Sequence, residues 1–472
     1  MPGMKAMNDL SVLQVVSEIA PLSQTGGLGT VTAQLSRALA TAGAKVTVVS
    51  PRYGSTDPSR FSLARRLKKL QVPLGPMTYA VELYEGTLPG TSVRVYLLDH
   101  PLYSARQGIY GEDGVDYPDN ADRFALLARA AVEVAREVAG IPDVFHAHDW
   151  MAGLLPLYVE EALPEPLPAV VHTVHDPGAK GLAPREAMPR LGLPPALFTP
   201  EALEFYGQVS LLKAGVVYAD RVIVPSPSYA RQVCTPPHGK GLEGLFGWQR
   251  EKLVGVLHGF DHWDPSRDRQ LPETFSVEDA SGKGACKAAV QEAFGLPVRP
   301  DAMLVATGAI SAAQVRDVVA AIGELPVQLA VLGNETELAV PERVAVRPVG
   351  DEVALRRVMA GADVWLDPGV EPAAVVALGA MRYGAVPVGP ATGALEDVLV
   401  DYDVRTATGT GFRAASDGPG LGHGVVRAAL LWRAEGRFEH LRRNVMRQAL
   451  GWARCASQTL EVYRDALRSA RG

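Results

Sequence analysis

A run of glycines that follows the first apolar segment contains residues of a type that could bind a ligand directly. The run reads Gly26-Gly27-Leu28-Gly29 and follows the polar segment Ser23-Gln24-Thr25. Glycines between a strand and a helix let main-chain N–H groups approach an anionic or sugar ligand closely. The same glycines could equally serve the backbone alone, because a turn with positive φ is reason enough for them. The spacing is not the Gly-x-Gly-x-x-Gly fingerprint, so it does not support a nicotinamide-dependent oxidoreductase.

Four histidines in two apolar runs form a second group that could do chemistry: His146, His148, His172 and His175. Imidazoles at strand ends can hydrogen-bond a ligand, but they can also be buried side chains bonded to the backbone. We hold the second interpretation for the first three of them. Their strand-like spacing lacks a metal-binding signature, so no zinc site is predicted.

Composition and charge restrict the class of protein. The chain has 472 residues, of which 47% are hydrophobic and 21% charged, as in soluble globular proteins. A net charge of −6 is too small to predict a nucleic-acid or membrane partner, and no apolar run is long enough to span a bilayer. Cys234, Cys286 and Cys455 form no paired motif, and Met1–Leu10 lacks the apolar stretch of a signal peptide. We therefore expect a cytoplasmic protein with buried thiols and no bound cofactor.

Short β-branched runs alternate with amphipathic stretches, which predicts βαβ units and parallel sheets covered by helices on both faces. The first predicted helix covers Leu28–Ala42. The predicted strands are Val12–Val16, Lys45–Val49, Val93–Leu98, Val144–His148, Ala169–Val174, Arg221–Val224, Met303–Gly308, Val327–Gly333, Val344–Val349, Asp363–Leu366 and Ala385–Val388.

A segment rich in Asp, Pro, Ser and Gly interrupts this alternation and divides the chain into two doubly wound, Rossmann-like halves. We predict an N-terminal domain over residues 1–264, a linker region over 265–300 and a C-terminal domain over 301–455. A last helix over 456–472 is predicted to cross back to the first domain. Ligands bind beyond the carboxyl ends of strands in such sheets, so we expect a site in a cleft between the facing domains.

The glycine turn and many later blocks together resemble the bacterial glycogen synthases and plant starch synthases. The segment Ser17–Thr30 is similar to the family signature Ser-Glu-x-x-Pro-x-x-Lys-Thr-Gly-Gly-Leu-Gly-Asp. The resemblance spans essentially the whole chain and is densest up to Pro265. Further matching blocks are Tyr117-Pro118-Asp119-Asn120, Asp143–Trp150, Leu203-Glu204-Phe205-Tyr206-Gly207-Gln208-Val209, Leu212-Lys213-Ala214-Gly215, Tyr218–Val222, Gly361-Ala362-Asp363, Arg382-Tyr383-Gly384 and Gly409-Thr410-Gly411-Phe412.

This resemblance implies a glycosyltransferase of the GT-B architecture, in which two Rossmann-like domains face a cleft. Family members transfer glucose from ADP-glucose to an α-1,4-glucan with retention at the anomeric carbon, which predicts a role in glycogen biosynthesis. By similarity, Asp149, His175 and Glu371 are the catalytic residues. A larger set is implied to bind substrate: Gln24, Thr25, Gly26, Gly27, Tyr110 and His258.

Several positions depart from the family pattern in the first domain. Gln24 stands where the family has a lysine, which removes a cation near the donor phosphates. Thr30 replaces an aspartate, Met151 a histidine and His258 an asparagine.

The second domain departs further. Gly308–Val315 replaces a family loop whose Arg and Lys clamp the diphosphate, and Ala374 replaces the glycine of Glu-Pro-Cys-Gly. Losing one such contact typically costs about 10²–10³-fold in rate. Arg316 and Arg382 are candidates to replace part of the charge, although Arg382 more simply serves as a helix residue.

Two functions therefore compete. The first is a glucosyltransferase of the glycogen synthase type. The second is a catalytically impaired paralogue that binds glucan, or that associates with another enzyme of glycogen synthesis and regulates it. Transfer from a nucleotide sugar, or glucan binding without ADP-glucose binding, would discriminate between them.

Overall fold

The computed structural model of the chain describes residues 10–334, 338–340, 342–434 and 436–470. The predictions that concern residues 1–9 and 471–472 lie outside this range. The chain divides into two compact units. The first unit contains the residues up to Gly259 and those from Trp452 onward, and the second runs from Phe260 to Gly451. No helix in the described ranges has both the length and the apolar character of a membrane span.

Over residues 10–259 the first unit has fifteen strands and seven α-helices. The strands are β1 (Ser11–Val15), β2 (Lys45–Pro51), β3 (Ala64–Arg65), β4 (Leu70–Leu74), β5 (Met77–Thr87), β6 (Arg94–Asp99), β7 (Gly111–Glu112), β8 (Val115–Asp116), β9 (Val144–His148), β10 (Ala169–Thr173), β11 (Leu182–Pro184), β12 (Glu204–Phe205), β13 (Gln208–Ser210), β14 (Arg221–Val224) and β15 (Leu253–Gly255). The helices are α1 (Gly27–Thr41), α2 (Pro101–Ser104), α3 (Asn120–Val134), α4 (Leu155–Ala162), α5 (Leu211–Tyr218), α6 (Pro227–Gln232) and α7 (Glu243–Trp248).

The main sheet of this unit has the order β15-β14-β10-β9-β1-β2-β6-β5-β3, with β4 paired to β5. The strands from β15 to β6 are parallel, while β5 runs antiparallel to β6. Strands β1, β9 and β10 are buried along almost their whole length, which explains why their sequences are apolar rather than alternating. Helices pack on both faces of the sheet and enclose separate apolar clusters.

The described residues of the second unit form a six-stranded parallel sheet in the order β18-β17-β16-β19-β20-β21. Its strands are β16 (Met303–Gly308), β17 (Val327–Leu332), β18 (Val344–Arg347), β19 (Val364–Leu366), β20 (Val386–Gly389) and β21 (Phe412–Arg413). Its helices are α8 (Lys283–Phe294), α9 (Ala312–Ile322), α10 (Glu352–Gly361), α11 (Val375–Arg382), α12 (Gly393–Val398), α13 (Gly418–Trp432) and α14 (Arg437–Met446). The last helix, α15 (Trp452–Ala470), belongs to the first unit and packs there against α1 and β10.

The boundary between the units differs from the predicted one. The chain enters the second unit at Phe260, and the predicted linker over residues 265–300 lies within that unit. Helix α8 lies in this segment and buries Cys286, Val290 and Phe294, which are spaced four residues apart on one helix face. This apolar spacing, rather than the polar composition around it, decides that the segment packs as a helix.

In each main sheet the strand order reverses at one position, which we call the switch point. In the first unit the chain builds outward from β1 through β2 and β6, and then continues from β9 on the other side of β1. In the second unit the same reversal lies between β16 and β19. The loops that leave the carboxyl ends of two strands on either side of such a point diverge, which leaves a crevice for a ligand.

Candidate functional site

The glycine turn lies at the switch point of the first unit. It follows β1 directly, while Asp149 follows the neighbouring strand β9. Helix α1 begins at Gly27, and no side chain of a described residue caps its first turn. Gly26 and Gly27 are exposed, and the first turn of the helix, at the positive end of its dipole, has N–H groups without partners inside the helix. This is the arrangement that binds an anionic group of a ligand.

Glu18 holds the turn in place. Its side chain is only 2% exposed. One carboxylate oxygen accepts hydrogen bonds from the main-chain N–H groups of Thr25 at 2.5 Å and Gly26 at 3.4 Å. The other accepts from the Tyr110 hydroxyl at 2.5 Å and the Thr25 hydroxyl at 3.2 Å. Glu18 was not among the predicted site residues, although it is part of the family signature, because a lone glutamate gives no sign in a sequence that it will be buried.

Tyr110 is connected to the strand end as well as to the turn. Its hydroxyl lies 2.8 Å from the Ser17 hydroxyl, and its ring packs against Phe124 with centroids 5.9 Å apart. The Tyr53 hydroxyl donates to the Ser17 carbonyl at 2.8 Å. Tyr110, predicted as a substrate-binding aromatic, therefore supports the turn through Glu18.

Gln24 and Thr30, the two departures in the signature, contact each other. The Gln24 amide donates to the Thr30 hydroxyl at 2.9 Å and to the Gly26 carbonyl at 2.9 Å. The resemblance implies a lysine and an aspartate at these positions. A positive and a negative side chain have thus been replaced together by a neutral hydrogen-bonded pair, so their combined formal charge is unchanged. The expected loss of a phosphate-binding cation at residue 24 is accompanied by the loss of an adjacent anion.

Asp149 has a strained backbone at the end of β9. Its φ of 51° and ψ of −168° lie in a region that residues other than glycine rarely adopt, at a cost of roughly 1–3 kcal/mol. The carboxylate accepts the main-chain N–H of His175 at 2.7 Å. Burial raises the pKa of Asp149 to about 7, against the lowering effect of the N–H groups of His175 and Asp176. Near neutral pH the carboxyl group can therefore both accept and donate a hydrogen bond.

His175 lies in a row of aromatic side chains with His148, His258 and Trp452. The His148 Nδ1 atom is 3.2 Å from the His175 Nε2 atom, and the two rings are nearly parallel. His175 and His258 have ring centroids 5.3 Å apart, and His258 stacks on Trp452 at 6.1 Å. Burial, followed by the neighbouring imidazoles, keeps the pKa of His148 and His175 well below the usual range. Both rings are neutral at pH 7, so His175 can exchange hydrogen bonds with a sugar hydroxyl.

The other two histidines are buried in the sheet. His146 Nδ1 lies 2.7 Å from the hydroxyl of Tyr463 on α15, and its Nε2 lies 2.7 Å from the Thr173 hydroxyl. His172 has no hydrogen-bond partner among the described residues, and its ring packs directly over Gly215. Burial lowers the pKa of each to about 3. His146, His148 and His172 are thus buried, as the sequence indicated, but none of the bonds just described goes to the backbone.

Two turns at the switch point of the second unit each contain an alanine with positive φ. Ala309 follows β16 with a φ of 52°, and Ala374 precedes α11 with φ 46° and ψ 37°. Both have the left-handed conformation, which costs a residue with a Cβ roughly 1–2 kcal/mol. The chain has lost the family glycine at residue 374 but has kept the backbone conformation that glycine favours.

Glu371 is exposed and lies close to the starts of α11 and α12. Helix α11 begins four residues after it, and the N–H of Ala394 at the start of α12 donates to the Pro372 carbonyl at 2.8 Å. Helix α9 is capped by Ser311, whose hydroxyl accepts the N–H of Gln314 at 3.3 Å in a capping box.

A cavity of about 220 Å³ lies beyond the carboxyl ends of β16, β17 and β19. Its lining includes Ala309, Trp365, Asp367, Glu371 and Val376. The Asp367 carboxylate accepts the N–H of Gly369 at 2.6 Å, and burial raises the pKa of Asp367. A mostly apolar slot with two carboxyl groups suits a flat, polar-edged ring such as a nucleobase better than a phosphate.

The two arginines proposed as replacement cations are placed differently. Arg316 is exposed on the first turns of α9. Arg382, at the end of α11, donates to the Met446 carbonyl at 3.2 Å, which fits a structural role in the helix packing. No group of three or more metal-ligating side chains converges in the part of the chain that the structure describes.

Comparisons with known proteins agree over almost the whole chain. The family model of the starch synthase catalytic domain matches residues 11–247. A glycogen synthase from Anaeromyxobacter dehalogenans strain 2CP-C is 39% identical over 479 residues, covering 96% of this chain and 99% of the relative. A glycogen synthase from Thioalkalivibrio sulfidiphilus is 36% identical, covering 97% and 99%. The catalytic domain of starch synthase IV from Arabidopsis thaliana, solved with ADP and acarbose, superimposes with a TM-score of 0.86 at 27% identity, covering 97% and 99%.

Proposed function

Because this chain belongs to the family of the bacterial glycogen synthases and the starch synthase catalytic domain, we propose that it transfers glucose from ADP-glucose to the 4-hydroxyl end of an α-1,4-glucan, with retention at the anomeric carbon. The family makes the chain a glycosyltransferase with two Rossmann-like domains, the GT-B fold class. We further propose that it acts in the cytoplasm in glycogen synthesis.

The observation that carries the proposal is the pre-formed glycine turn beside Asp149 and His175. Transfer breaks the bond between the glucose C1 atom and the diphosphate oxygen, and the electron pair stays with the diphosphate. A new bond then forms from the glucan 4-oxygen to C1, and the hydroxyl proton must pass to an oxygen base, for which the departing diphosphate is chemically competent. The exposed N–H groups at the start of α1 can hydrogen-bond the negative charge that develops on the leaving group.

Asp149 and His175 are suited to hold the sugar. The Asp149 side chain is held against the backbone of His175, because its carboxylate accepts the main-chain N–H of His175 at 2.7 Å. A carboxyl group with a pKa of about 7 and a neutral imidazole can bind hydroxyls without adding full charges to a dry site. Glu371 is proposed as the carboxyl group that supports positive charge developing on the sugar ring.

The second unit is suited to hold the nucleotide. Its apolar cavity can take the base, and the N-terminus of α11 supplies main-chain N–H groups without a side-chain cap from a described residue. The left-handed Ala374 keeps this helix start in the conformation that glycine would give. Retention of that strained conformation favours an active synthase over the catalytically impaired paralogue.

The experiment is a transfer assay with labelled ADP-glucose and glycogen, repeated with UDP-glucose. We expect glucan elongation with α-linked products, which anomeric proton NMR identifies. Glu371→Gln and Asp149→Asn should each lower kcat by about 10²–10³-fold. Glu278→Gln, an exposed carboxylate in the same unit as Glu371, is the matched control and should retain full activity. Failure of transfer with every nucleotide sugar, together with glycogen binding, would identify the glucan-binding paralogue instead.

A further inference from the structure

The second unit contains a cavity between helices α8 and α10 that the proposed reaction does not use. Its volume is about 680 Å³, and residues 269–272 and the carboxyl ends of β17 and β18 complete its lining. Sites for small molecules typically have volumes of about 300–1,000 Å³ and mostly apolar walls with a few polar groups. The cavity of about 220 Å³ beyond β16, β17 and β19, here called the nucleotide cavity, is smaller. The α8–α10 cavity is therefore large enough to hold a molecule of its own.

The walls of the α8–α10 cavity are apolar, and several of their side chains are small. The two helices contribute Ala289, Val290, Ala293, Phe294, Ala354 and Val358. Protein interiors are close-packed, so a space of this size between two packed helices needs short side chains on both of them. Larger residues at the three alanine positions would fill the cavity.

Three arginines, Arg269, Arg347 and Arg357, line the same cavity, whereas none of its described lining residues is acidic. The Arg357 Nε atom donates to the Gln270 carbonyl at 2.8 Å, which holds the segment before α8 against α10. The Arg347 Nη1 atom donates to the Val346 carbonyl at 3.0 Å. Both guanidinium groups are thus oriented by main-chain carbonyls. None of the three arginines forms an ion pair with a described residue, so their charges are available to a ligand.

The acidic side chain next to this segment does not offset these charges. Asp268 is paired with Arg356 at 3.0 Å and accepts the Tyr383 hydroxyl at 2.7 Å, and it does not line the cavity. The described lining therefore combines three positive charges with an apolar wall. Guanidinium groups bind phosphate and carboxylate groups through paired hydrogen bonds. Such a lining is complementary to a molecule that has an anionic group and an apolar body.

We propose that the α8–α10 cavity binds an amphipathic organic anion and that this ligand adjusts the neighbouring nucleotide cavity. The phosphate or carboxylate group of the ligand meets the arginines, and its apolar part lies between the two helices. Leu332 lines both cavities, and residues 348–355 contribute side chains to both. A ligand that favours one arrangement of this segment therefore changes a wall of the nucleotide cavity. This second part rests on the proposed function, because it takes the smaller cavity as the nucleotide site.

The test titrates the full chain with octyl phosphate in a calorimeter, below the concentration at which this compound forms micelles. Inorganic phosphate lacks the apolar body and 1-octanol lacks the charge, so each should bind at least about 10-fold more weakly. Octanoate differs from octyl phosphate in its anionic group, and the tighter of the two identifies the head group that the arginines prefer. Equal binding of 1-octanol and octyl phosphate would overturn the role of the arginines.

Variants of the lining test the site itself. Arg269→Gln and Arg347→Gln should each weaken the binding of octyl phosphate by about 10-fold, because each removes a charged hydrogen-bond donor. Ala289→Leu fills the space between the helices and should weaken it at least as much. Urea unfolding shows whether these variants keep the stability of the wild type. Arg267→Gln is the matched control, because this exposed arginine lies two residues from Arg269 and does not line the cavity.

The position of the ligand is read from protein labelled with 4-fluorophenylalanine. The Phe294 resonance is assigned by its loss in Phe294→Leu, and we expect it to shift on addition of octyl phosphate even when ADP is saturating. Octyl phosphate should also change the Kd of ADP by at least about 5-fold, and ADP should change the Kd of octyl phosphate by the same factor.

The outcomes separate the site from the proposed reaction. An unmoved Phe294 resonance, or equal affinity in Arg269→Gln and Arg347→Gln, would overturn the site even if glucan elongation is observed. Loss of the Phe294 shift in the presence of ADP would place the anion in the nucleotide cavity and overturn the proposal. A Phe294 shift with an unchanged Kd of ADP would support the site and refute the link to the nucleotide cavity. A Phe294 shift in a protein that neither binds ADP nor transfers glucose would support the site while the proposed function fails.

Discussion

Glu18 offers the sharpest test of how the glycine turn is pre-organised. Its buried carboxylate accepts four hydrogen bonds, three from Thr25 and Gly26 and one from Tyr110. A hydrogen bond to a charged group contributes about 1.5–3 kcal/mol. Glu18→Gln replaces one accepting oxygen by an amide that can only donate. The variant therefore loses the bonds of one oxygen, which we expect to destabilise the turn by about 2 kcal/mol.

The predicted kinetics follow from that value. If the turn must be ordered to bind the donor, about 2 kcal/mol raises the KM for ADP-glucose by roughly 30-fold. Tyr110→Phe removes one hydrogen bond of 2.5 Å to the same carboxylate and should raise the KM by about 10-fold. The amide of Glu18→Gln should face Tyr110, because the N–H groups of the turn can only donate whereas the tyrosine hydroxyl can also accept, so the bond that this hydroxyl donates to the carboxylate is already lost. The double variant should then show a KM near that of Glu18→Gln alone, about 30-fold above the wild type, rather than their product.

Initial rates at saturating glycogen, with ADP-glucose varied, measure all four proteins in one cycle. Glu112→Gln is the control, because this exposed carboxylate accepts the Tyr117 hydroxyl at 2.7 Å on the same loop but does not contact the turn. It should change the KM by less than about 2-fold. The argument that Glu18 and Tyr110 act as one unit is refuted if the KM of the double variant rises by the product of the two single effects, so that the coupling free energy is below about 0.5 kcal/mol.

Three further predictions concern stability and are checked by urea unfolding. Thr30→Asp alone places a carboxylate at a buried position and should lower the free energy of unfolding by about 2–4 kcal/mol. Adding Gln24→Lys should restore most of this loss of stability. If the double variant is no more stable than Thr30→Asp, the pairing of residues 24 and 30 is contradicted. Ala374→Gly relieves a left-handed alanine and should change stability by between 0 and about +1 kcal/mol; a clear loss would contradict the strain. His172 has a pKa lowered to about 3, so the unfolded state binds its proton first and stability falls as the pH drops from 6.5 toward 3. His172→Leu should reduce the slope of the unfolding free energy against pH, near pH 5, by about 1.4 kcal/mol per pH unit. Asp149, whose pKa is raised, contributes a slope of the opposite sign, and this contribution is the same in both proteins.

The sequence was most informative where local pattern and packing agree. The strands predicted at Val144–His148, Arg221–Val224 and Met303–Gly308 have the observed bounds, because an apolar run between polar turns is what a doubly covered parallel strand requires. The antiparallel strands β3 to β5 were not predicted. Strand β5 is half exposed and contains Glu82, Glu85 and Gly86, so it lacks the apolar run by which the parallel strands were recognised.

The site was only partly visible in the sequence, for a related reason. Motif similarity marked the glycine turn, Asp149 and His175, which follow the carboxyl ends of the adjacent strands β1, β9 and β10. It could not show that Tyr463, 317 residues from His146, would bond to that ring. Contacts of this kind depend on how α15 packs against the sheet, which no local pattern encodes.

The contacts of the residues that depart from the family signature give these departures a physical interpretation. Gln24 and Thr30 hydrogen-bond each other, and this neutral pair has the same combined formal charge as the lysine and aspartate of the signature that the segment resembles. Ala374 stands where the resemblance implies a glycine, and its backbone has the left-handed conformation that glycine favours. What has gone without a visible replacement is the pair of cations that the family places in the loop over Gly308–Val315. In the reaction that we propose, the donor diphosphate would rely more on main-chain N–H groups at helix starts, and these act only if the turns before them are rigid. On this proposal, the four hydrogen bonds of the buried Glu18 carboxylate keep the glycine turn rigid, and changes at Glu18 or Tyr110 should matter more to this chain than its exposed substitutions do.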